Sequence, residues 1–310
     1  MNRDARMRLA PHGAATGAAV SETEVPGVLP WRRGKVRAVY EAGPKHLVVV
    51  ASDRLSAYDV VLPTPIPDKG RILTAISGWW MRTLRAAAPH HLVSDDPAAF
   101  PAPFRDHAAR LAGRSHLVRR AERADIECVV RGYLTGSGLK EYRASGGVCG
   151  VPLPQGLADG SRLDPPIFTP TTKEDQGHDQ AIPYEEVERR VGKNAAVVLR
   201  ERSLAIYAEA RDIAWARGLV LADTKFEFGL VDGVMTLIDE VLSPDSSRYW
   251  DRAAYEAGRL LSFDKQYVRD WLDASGWDHS PPGPELPPDV VAKTRERYLE
   301  ALERLTGGAL

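Results

Sequence analysis

The stretch that decides the fold is residues 221–250, LADTKFEFGLVDGVMTLIDEVLSPDSSRYW. It contains two runs rich in β-branched and aromatic residues, Thr224–Leu230 and Val234–Val241. Between them stands the dipeptide Asp232-Gly233, which is typical of a tight turn. This pattern predicts a β-hairpin.

The register of this hairpin decides which side chains share a face. A two-residue loop places Glu227 and Asp239 on opposite faces, because side chains alternate along a strand. A three-residue loop over residues 231–233 pairs Leu230 with Val234 and brings the two carboxylates to one face. We expect the three-residue loop, since it leaves one charged and one apolar face. The charged face then holds Lys225, Glu227, Leu237 and Asp239, and the apolar face holds Phe226, Phe228, Leu230, Val234 and Ile238.

Two carboxylates and a lysine on one hairpin face suit a cation bound to phosphate oxygens. Mg²⁺ prefers oxygen ligands and commonly takes one or two carboxylates together with substrate phosphates. The sequence therefore predicts Glu227 and Asp239 as metal ligands. An ordinary hairpin with a solvated charged face fits the pattern equally well. In the polar loop that follows, Arg248 supplies a planar fork that can hold a phosphate or a carboxylate through two hydrogen bonds.

A second candidate site is RGYLTGSG, residues 131–138, which precedes a helix predicted from Leu139. A glycine-rich turn that opens a helix offers backbone N–H groups and the positive end of the helix dipole to an anion. Arg131 and Ser137 are the side chains that would complete a monophosphate site. A glycine turn needed only for a tight crossover explains the spacing as well.

A glycine and two basic residues open the predicted first hairpin, in the run RGKVRAVY over residues 33–40. One interpretation is a strand whose Gly34 lies close over a nucleotide triphosphate, with Lys35 and Arg37 near the phosphates. The other is an edge hairpin with solvated basic side chains, and the spacing alone favours it. The phosphate-binding loop GxxxxGK[ST] is absent.

Composition narrows the class of protein. The chain has 310 residues, 44% of them hydrophobic, which suits one large unit or two lobes. A formal net charge of −1 argues against a nucleic-acid partner. No apolar run approaches the roughly 20 residues of a membrane span, and no signal peptide is apparent. The two cysteines form no disulfide framework, so we expect a cytoplasmic protein. Residues 1–30, rich in Ala, Gly and Pro, are predicted to form a mostly disordered arm.

Taken together, these motifs resemble the SAICAR synthetase (phosphoribosylaminoimidazole-succinocarboxamide synthase) family of purine biosynthesis. The resemblance extends in order from Gly34 to Leu272 and is carried by GKVRAVY, SDRLSAYD, RGYLTGS, FTPTTK, ADTKFEFG, LIDEVLSPDSSRYWD and SFDKQYVRDWL. Ala38 stands where the family has Asp, but by alternation it shares the face of Tyr40 rather than that of the basic residues. The segment GHDQ is one acidic residue shorter than its family counterpart. We interpret His178 there as part of a polar substrate loop rather than as a catalytic base.

The resemblance implies an α+β fold with two lobes and an ATP cleft between them. An antiparallel, kinase-like N-terminal lobe would cover residues 31–121, and a larger α/β C-terminal lobe with the substrate and metal sites would cover residues 122–310. The implied reaction joins the carboxylate of carboxyaminoimidazole ribotide (CAIR) to the amine of L-aspartate. ATP is cleaved to ADP and phosphate, with an acyl phosphate as the expected intermediate.

The resemblance also implies roles for individual residues. They are Gly34, Lys35 and Arg37 for ATP, Glu227 and Asp239 for Mg²⁺, Lys225 and Asp245 in catalysis, and Arg131, Ser137 and Arg248 for the ribotide phosphate. The expected partners are the small molecules CAIR, L-aspartate and ATP, with no nucleic acid and no membrane. Two alternatives stay open: a small-molecule kinase on a similar two-lobed scaffold, and a non-catalytic nucleotide-binding relative. The sequence identifies neither the oligomeric state nor the base that deprotonates aspartate.

Overall fold

A computed structural model describes residues 18–173, 179–263 and 265–310. The strands are β1 (Arg32–Arg33), β2 (Arg37–Glu41), β3 (His46–Ala51), β4 (Ser56–Ala57), β5 (Val60–Val61), β6 (Leu92–Ser94), β7 (Ser115–Arg119), β8 (Glu122–Arg123), β9 (Ile126–Leu134), β10 (Gly147–Val148), β11 (Val151–Pro152), β12 (Ser161–Phe168), β13 (Thr171–Thr172), β14 (Leu219–Val231), β15 (Val234–Ile238) and β16 (Ser247–Asp251). The helices are α1 (Lys69–Thr83), α2 (Ala108–Leu111), α3 (Gly136–Ser145), α4 (Tyr184–Val191), α5 (Lys193–Ala216), α6 (Arg252–Glu256), α7 (Gln266–Ala274) and α8 (Pro288–Thr306).

The chain forms two compact units. The first comprises the residues up to Trp79, Leu92–Arg120 and Ser262–Leu310; the second comprises Trp80–His91 and Ala121–Leu261. Each unit contains an antiparallel sheet accompanied by helices, so the predicted α+β class is confirmed. The division into lobes at residues 121 and 122 stays a prediction.

The first unit is built on a five-stranded antiparallel sheet in the order β1-β2-β3-β7-β6. The predicted hairpin of β2 and β3 is present, with Arg37 opposite Ala51. Side chains alternate along β2 as expected, and both Ala38 and Tyr40 lie buried in the core cluster. The prediction that Ala38 shares the face of Tyr40 is therefore confirmed. The replacement of the family's Asp by Ala38 thus lies on the buried face of the strand.

The glycine of this hairpin lies in a turn, not in a strand. Strand β1 pairs with β2, and the N–H of Gly34 donates to the carbonyl of Arg37 at 2.8 Å. The interpretation that Gly34 belongs to a strand is therefore wrong, because β2 begins only at Arg37. The turn is supported by Ser52, whose N–H and hydroxyl both donate to the carbonyl of Val36, at 2.9 and 2.7 Å.

Residues 18–30 pack against this unit. Val25 is buried in the core cluster, and the carbonyl of Thr23 accepts a hydrogen bond from the Tyr40 hydroxyl at 2.7 Å. The N–H of Val20 donates to Asp53 Oδ2 at 2.7 Å. This part of the predicted arm is thus tied to the core, while residues 1–17 lie outside the described residues.

The second unit is built on a seven-stranded sheet whose central path is β12-β9-β14-β15, with β13 on β9 and with β16 and β8 on β14. All nine residues of β9 are buried. Helix α5 packs on β14 and β9, and it contributes Leu199, Ile206 and Tyr207 to the core. Strand β14, which lies in the stretch 221–250, pairs with four other strands and is thereby the structural centre of the unit.

Strand β12 of this sheet is absent from the sequence expectations, and so is β16, because Arg248 is predicted in a polar loop and lies in a strand instead. Residues 152–166 are predicted to be a loop because they are rich in proline and glycine. The structure instead places β12 from Ser161, and it pairs with β9 at both of its ends. The register shifts between Arg162 and Ile167. Pro165 and Pro166, which have no N–H to donate, stand within that irregular segment.

The register of the β14–β15 hairpin corrects the expectation. Val231 lies opposite Val234, so Asp232 and Gly233 alone form the loop. Both have positive φ, 49° and 79°, as a two-residue turn of this kind requires. The predicted three-residue loop is wrong, and so is its apolar face.

The observed register follows from burial. Phe228 lies opposite Leu237, and both are completely buried. Leu230 and Val234, at the tip of the hairpin, are 40% and 54% exposed. Burial of Leu237 in the core thus stabilises the hairpin more than burial of Leu230 and Val234 near the turn would.

Gly132 is a position in this sheet that tolerates no side chain. A Cβ added there would overlap the hydroxyl of Tyr207 on α5, which donates to the carbonyl of Leu221 at 2.7 Å. Gly132→Ala must therefore push α5 and the sheet apart. We expect the free energy of unfolding, measured by chemical denaturation, to fall by about 1–3 kcal/mol.

The control for this prediction is the same substitution in a Tyr207→Leu background. Removal of the phenol ring takes away the atoms that the new methyl group would strike. Gly132→Ala should then cost clearly less than in the wild-type background. Equal costs in the two backgrounds would mean that the clash with Tyr207 is not the cause.

Candidate active site

Two guanidinium groups meet on a single carboxylate in the second unit. Asp223 on β14 lies opposite Arg131 on β9 and opposite Arg248 on β16, because these two strands flank β14. Arg131 Nη1 lies 3.2 Å from Asp223 Oδ2, and Arg248 Nη1 donates to the same oxygen. One buried carboxylate therefore orients two arginines.

The N-terminal end of α3 lies against this pair. Arg131 Nη2 donates to Ser137 Oγ at 3.2 Å. The backbone passes close to both guanidinium groups: a Cβ on Gly136 would lie 2.5 Å from Arg248 Nη2, and one on Gly138 would lie 3.1 Å from Arg131 Cδ. No side chain caps the helix at its N-cap residue. The structure thus brings the three predicted phosphate-binding residues together beside a helix N-terminus, which is a favourable environment for an anion.

Sequence reasoning missed Asp223 and Thr169 in this cluster. Thr169 accepts a hydrogen bond from Arg131 Nε at 3.0 Å. A signal for Asp223 was present, since an acidic residue inside a strand that is otherwise buried usually has a charged partner. Which arginines it pairs with depends on strand neighbours that are 92 and 25 positions away along the chain.

A row of alternating charges crosses the same sheet. Lys225 Nζ lies 2.8 Å from Glu127 Oε1, and Lys173 Nζ lies 3.4 Å from that oxygen. Lys173 Nζ also lies 2.7 Å from Glu227 Oε1. The order Lys225–Glu127–Lys173–Glu227 includes two predicted site residues and two that the predictions omit.

Glu127 holds this row together. Its side chain is 6% exposed and also accepts a hydrogen bond from Thr171 Oγ1 at 3.2 Å. Burial alone would raise the pKa of Glu127, but Lys225 and Lys173 outweigh that effect and hold the pKa below its ordinary value. Glu127 is therefore an anion at neutral pH and fixes both ammonium groups.

Asp239 stands where the alternation of the hairpin no longer applies. With Glu227 opposite Ile238, alternation alone would place Glu227 and Asp239 on opposite faces. Strand β15 ends at Ile238, however, and Asp239 has a φ of 60°, in the left-handed region. Burial lowers the pKa of Lys173, yet Glu227, Glu127 and Asp239 outweigh it and raise that pKa above its ordinary value. Glu227 thus holds the ammonium of Lys173 in an ion pair, and the charge of Asp239 adds to the field that this ammonium experiences.

Asp245 lies in a turn that is joined to β14. The N–H of Lys225 donates to the carbonyl of Ser246 at 3.1 Å, and the N–H of Asp245 donates to Ser243 Oγ at 3.1 Å. This turn connects Lys225 with the loop that leads to Arg248 in β16. A backbone hydrogen bond thus links β14 at Lys225, one predicted catalytic residue, to the turn that carries Asp245, the other.

The predicted nucleotide residues lie in the first unit. Lys35 forms an ion pair with Asp59, and both side chains are half exposed. Arg54 Nη2 lies 3.4 Å from the carbonyl of Gly34, and Asp59 has a φ of 64°. Arg37 begins β2. The loop SDRLSAYD thus packs against the turn of Gly34, and the ion pair of Asp59 is a contact that the sequence did not suggest.

Two observations limit the chemistry of the site. Within residues 18–173, 179–263 and 265–310, no three His, Cys, Asp or Glu side chains gather closely enough to hold a metal by themselves. Burial raises the pKa of Cys128 to about 12, so its thiol is no nucleophile at neutral pH. His178 lies outside the described residues.

In the part of the chain that is described, no helix combines the length and the apolar character needed to cross a membrane.

Fold and site together define a class: an α+β protein with a paired-arginine anion site and, in the same unit, carboxylates and lysines suited to phosphate chemistry. Comparisons with known proteins give the family. A family model described as SAICAR synthetase matches residues 30–284. A phosphoribosylaminoimidazole-succinocarboxamide synthase of Syntrophobacter fumaroxidans is 50% identical over 293 residues, which cover 94% of this chain and 97% of the relative.

Solved structures agree. The SAICAR synthase from Saccharomyces cerevisiae complexed with SAICAR has a TM-score of 0.84 and 38% identity, over 94% of this chain and 99% of its own. A SAICAR synthetase in complex with ADP has a TM-score of 0.65 over 90% of this chain and 98% of its own, and at 23% identity it shows the shared fold. The chain belongs to the SAICAR synthetase family. It is an enzyme, a ligase of purine biosynthesis.

Proposed function

We propose that this enzyme joins the carboxylate of CAIR to the amine of L-aspartate, giving SAICAR while ATP is cleaved to ADP and phosphate. The observation that carries the proposal is the pair of arginines at the N-terminus of α3, since a ribotide presents a monophosphate. The family supports it as well, because the yeast neighbour was solved with SAICAR. The compartment that we propose is the cytoplasm, in keeping with two cysteines that are both free and buried.

The chemistry requires activation of a carboxylate. A carboxylate is a poor acyl electrophile because its leaving group would be oxide. In the proposed sequence a carboxylate oxygen of CAIR attacks the γ-phosphorus of ATP, and the bond to ADP breaks. The aspartate amine then attacks the acyl carbon, the C–O bond breaks, and inorganic phosphate leaves as the amine gives up a proton. Such a reaction needs positioning and charge neutralisation more than a protein nucleophile.

For the ribotide phosphate we propose Arg131, Ser137 and Arg248. Two guanidinium groups share one carboxylate, that of Asp223, so the cluster retains one positive charge. The N–H groups at the start of α3 add a favourable field for an anion. A phosphate dianion suits this balance better than a neutral ligand does.

For the metal we propose Glu227 and Asp239 as the Mg²⁺ ligands. Their carboxylate oxygens are the hard donors that Mg²⁺ prefers, and Mg²⁺ commonly takes only one or two of them together with phosphate oxygens. The ammonium of Lys173, 2.7 Å from Glu227 Oε1, already marks the place as one that attracts a cation. When bound, Mg²⁺ supplies charge neutralisation for the transferring phosphoryl group.

The remaining roles concern charge and orientation. Lys225, held by Glu127, neutralises charge that develops on phosphate, and Asp245 orients a substrate group. In the first unit, Gly34 lets the backbone approach the ATP phosphates, and Lys35 and Arg37 neutralise them. The half-exposed ion pair of Lys35 with Asp59 leaves its ammonium accessible to a phosphate.

The experiment that tests the function measures ADP and phosphate release with ATP and Mg²⁺, with and without CAIR and L-aspartate. Sustained release is expected only when both are present, together with a product of the mass of SAICAR. Release that needs the ribotide but not aspartate would instead support a small-molecule kinase. Nucleotide binding without any release would support a non-catalytic relative.

A further inference from the structure

Lys173 is a residue to which the proposed reaction assigns no step, yet it occupies the centre of the acidic cluster. Its ammonium lies 2.7 Å from Glu227 Oε1 and 3.4 Å from Glu127 Oε1. Asp239 acts on the same ammonium. The side chain is 23% exposed, so it is held in a largely enclosed place.

We propose that Lys173 is a built-in substitute for the divalent cation, which neutralises Glu227 in the nucleotide-free enzyme and keeps divalent ions out until nucleotide phosphates arrive. The inference rests on the proposed metal role of Glu227 and Asp239. It assigns to Lys173 the control of when the metal binds.

The physical reason is competition for the same oxygen. An ammonium 2.7 Å from Glu227 Oε1 lies where a metal ligated by that oxygen would meet strong repulsion. The repulsion between a divalent ion and the lysine must be overcome before the metal binds. Carboxylates that are already neutralised therefore attract a free metal ion weakly. The added negative charge of a triphosphate attracts the divalent ion and favours its binding beside Glu227.

Glu127 makes the exchange feasible. When a metal takes Glu227, the ammonium of Lys173 keeps its second partner, Glu127, and is not left as an unpaired buried charge. The backbone at Lys173 is held by the sheet: its N–H donates to the carbonyl of Asp125 at 3.3 Å, and the preceding β13 pairs with β9. The exchange leaves these hydrogen bonds in place. Only the long, flexible side chain has to turn away from Glu227, towards the phosphate oxygens that arrive with the metal.

The test measures Mn²⁺ binding to the nucleotide-free enzyme by electron paramagnetic resonance, without any substrate. Lys173→Met is expected to bind Mn²⁺ about ten-fold more tightly than the wild type, because a positive charge has left the carboxylates. Lys173→Arg retains the charge and is expected to stay close to the wild type. In the Lys173→Met background, Glu227→Gln should remove the gain.

Two controls complete the test. Lys293→Met removes an ion-paired lysine from the other unit and should not change Mn²⁺ affinity. Lys173→Gln replaces Lys173→Met if circular dichroism shows that the methionine variant is unfolded. Unchanged Mn²⁺ affinity in a folded, uncharged Lys173 variant would overturn the proposal, as would an equal gain with Lys173→Arg. Either result would leave aspartate-dependent phosphate release, and hence the proposed function, untouched.

Discussion

Glu227→Gln and Asp239→Asn are each expected to lower kcat by on the order of 1,000-fold while the protein stays folded. Each substitution keeps the shape of the side chain but removes the negative charge on which a divalent ion depends. Glu227→Gln does not strand the ammonium of Lys173, because Glu127 remains 3.4 Å away. Steady-state kinetics at saturating ATP and Mg²⁺ measure the loss, and thermal unfolding checks the fold.

A matched control comes from the turn of the same hairpin. Asp232→Asn also removes one negative charge, but at an exposed position that asparagine tolerates despite its positive φ of 49°. It should retain near wild-type kcat. If both Glu227→Gln and Asp239→Asn also retain near wild-type kcat at ordinary Mg²⁺ concentrations, the metal assignment is wrong.

Arg131→Ala and Arg248→Ala are each expected to raise the KM for CAIR by about ten- to a hundred-fold, the cost of one hydrogen bond to a charged group. The KM for ATP should change much less, because the two arginines lie at α3 and are assigned to the ribotide phosphate. After either substitution Asp223 keeps the other arginine as its partner, so its charge is not left unpaired.

Two further variants sharpen this prediction. Arg131→Lys retains the charge but loses the fork that contacts Asp223, Thr169 and Ser137 together, so it should give an intermediate KM. Arg211→Ala removes a guanidinium that is paired with a neighbouring aspartate, and it should change neither KM. Equal increases in the KM values for CAIR and ATP would argue against a phosphate-binding role.

The hairpin illustrates which parts of the fold the sequence predicts. Its two strands and its turn follow from apolar runs around Asp232-Gly233, and both are present. The register does not follow, because it depends on which side chains find a core. Leu237 is covered by the second unit while Leu230 and Val234 meet solvent, and no periodicity in the chain distinguishes these positions. Strand β12 was missed for a related reason: its prolines resemble those of a loop.

The site divides in the same way. Arg131, Ser137 and Arg248 carry recognisable motif chemistry, and the sheet brings them together. Their shared carboxylate and the bridging Glu127 were missed because pairing across strands is a long-range property. Lys173 was missed for the same reason, because it follows β13, and the pairing of β13 with β9 at Glu127 joins residues far apart along the chain. Sequence motifs thus identify the residues that we propose bind a ligand more readily than the residues that hold them in place.

The central claim is that the carboxylate of CAIR is activated by phosphorylation before aspartate attacks it. The most direct measurement uses CAIR with ¹⁸O in its carboxylate and follows the label by mass spectrometry in the released phosphate and in the amide product. The account predicts that one labelled oxygen from each CAIR appears in inorganic phosphate, and that the other remains in the amide carbonyl. Phosphate free of label, released as the amide forms, would contradict it.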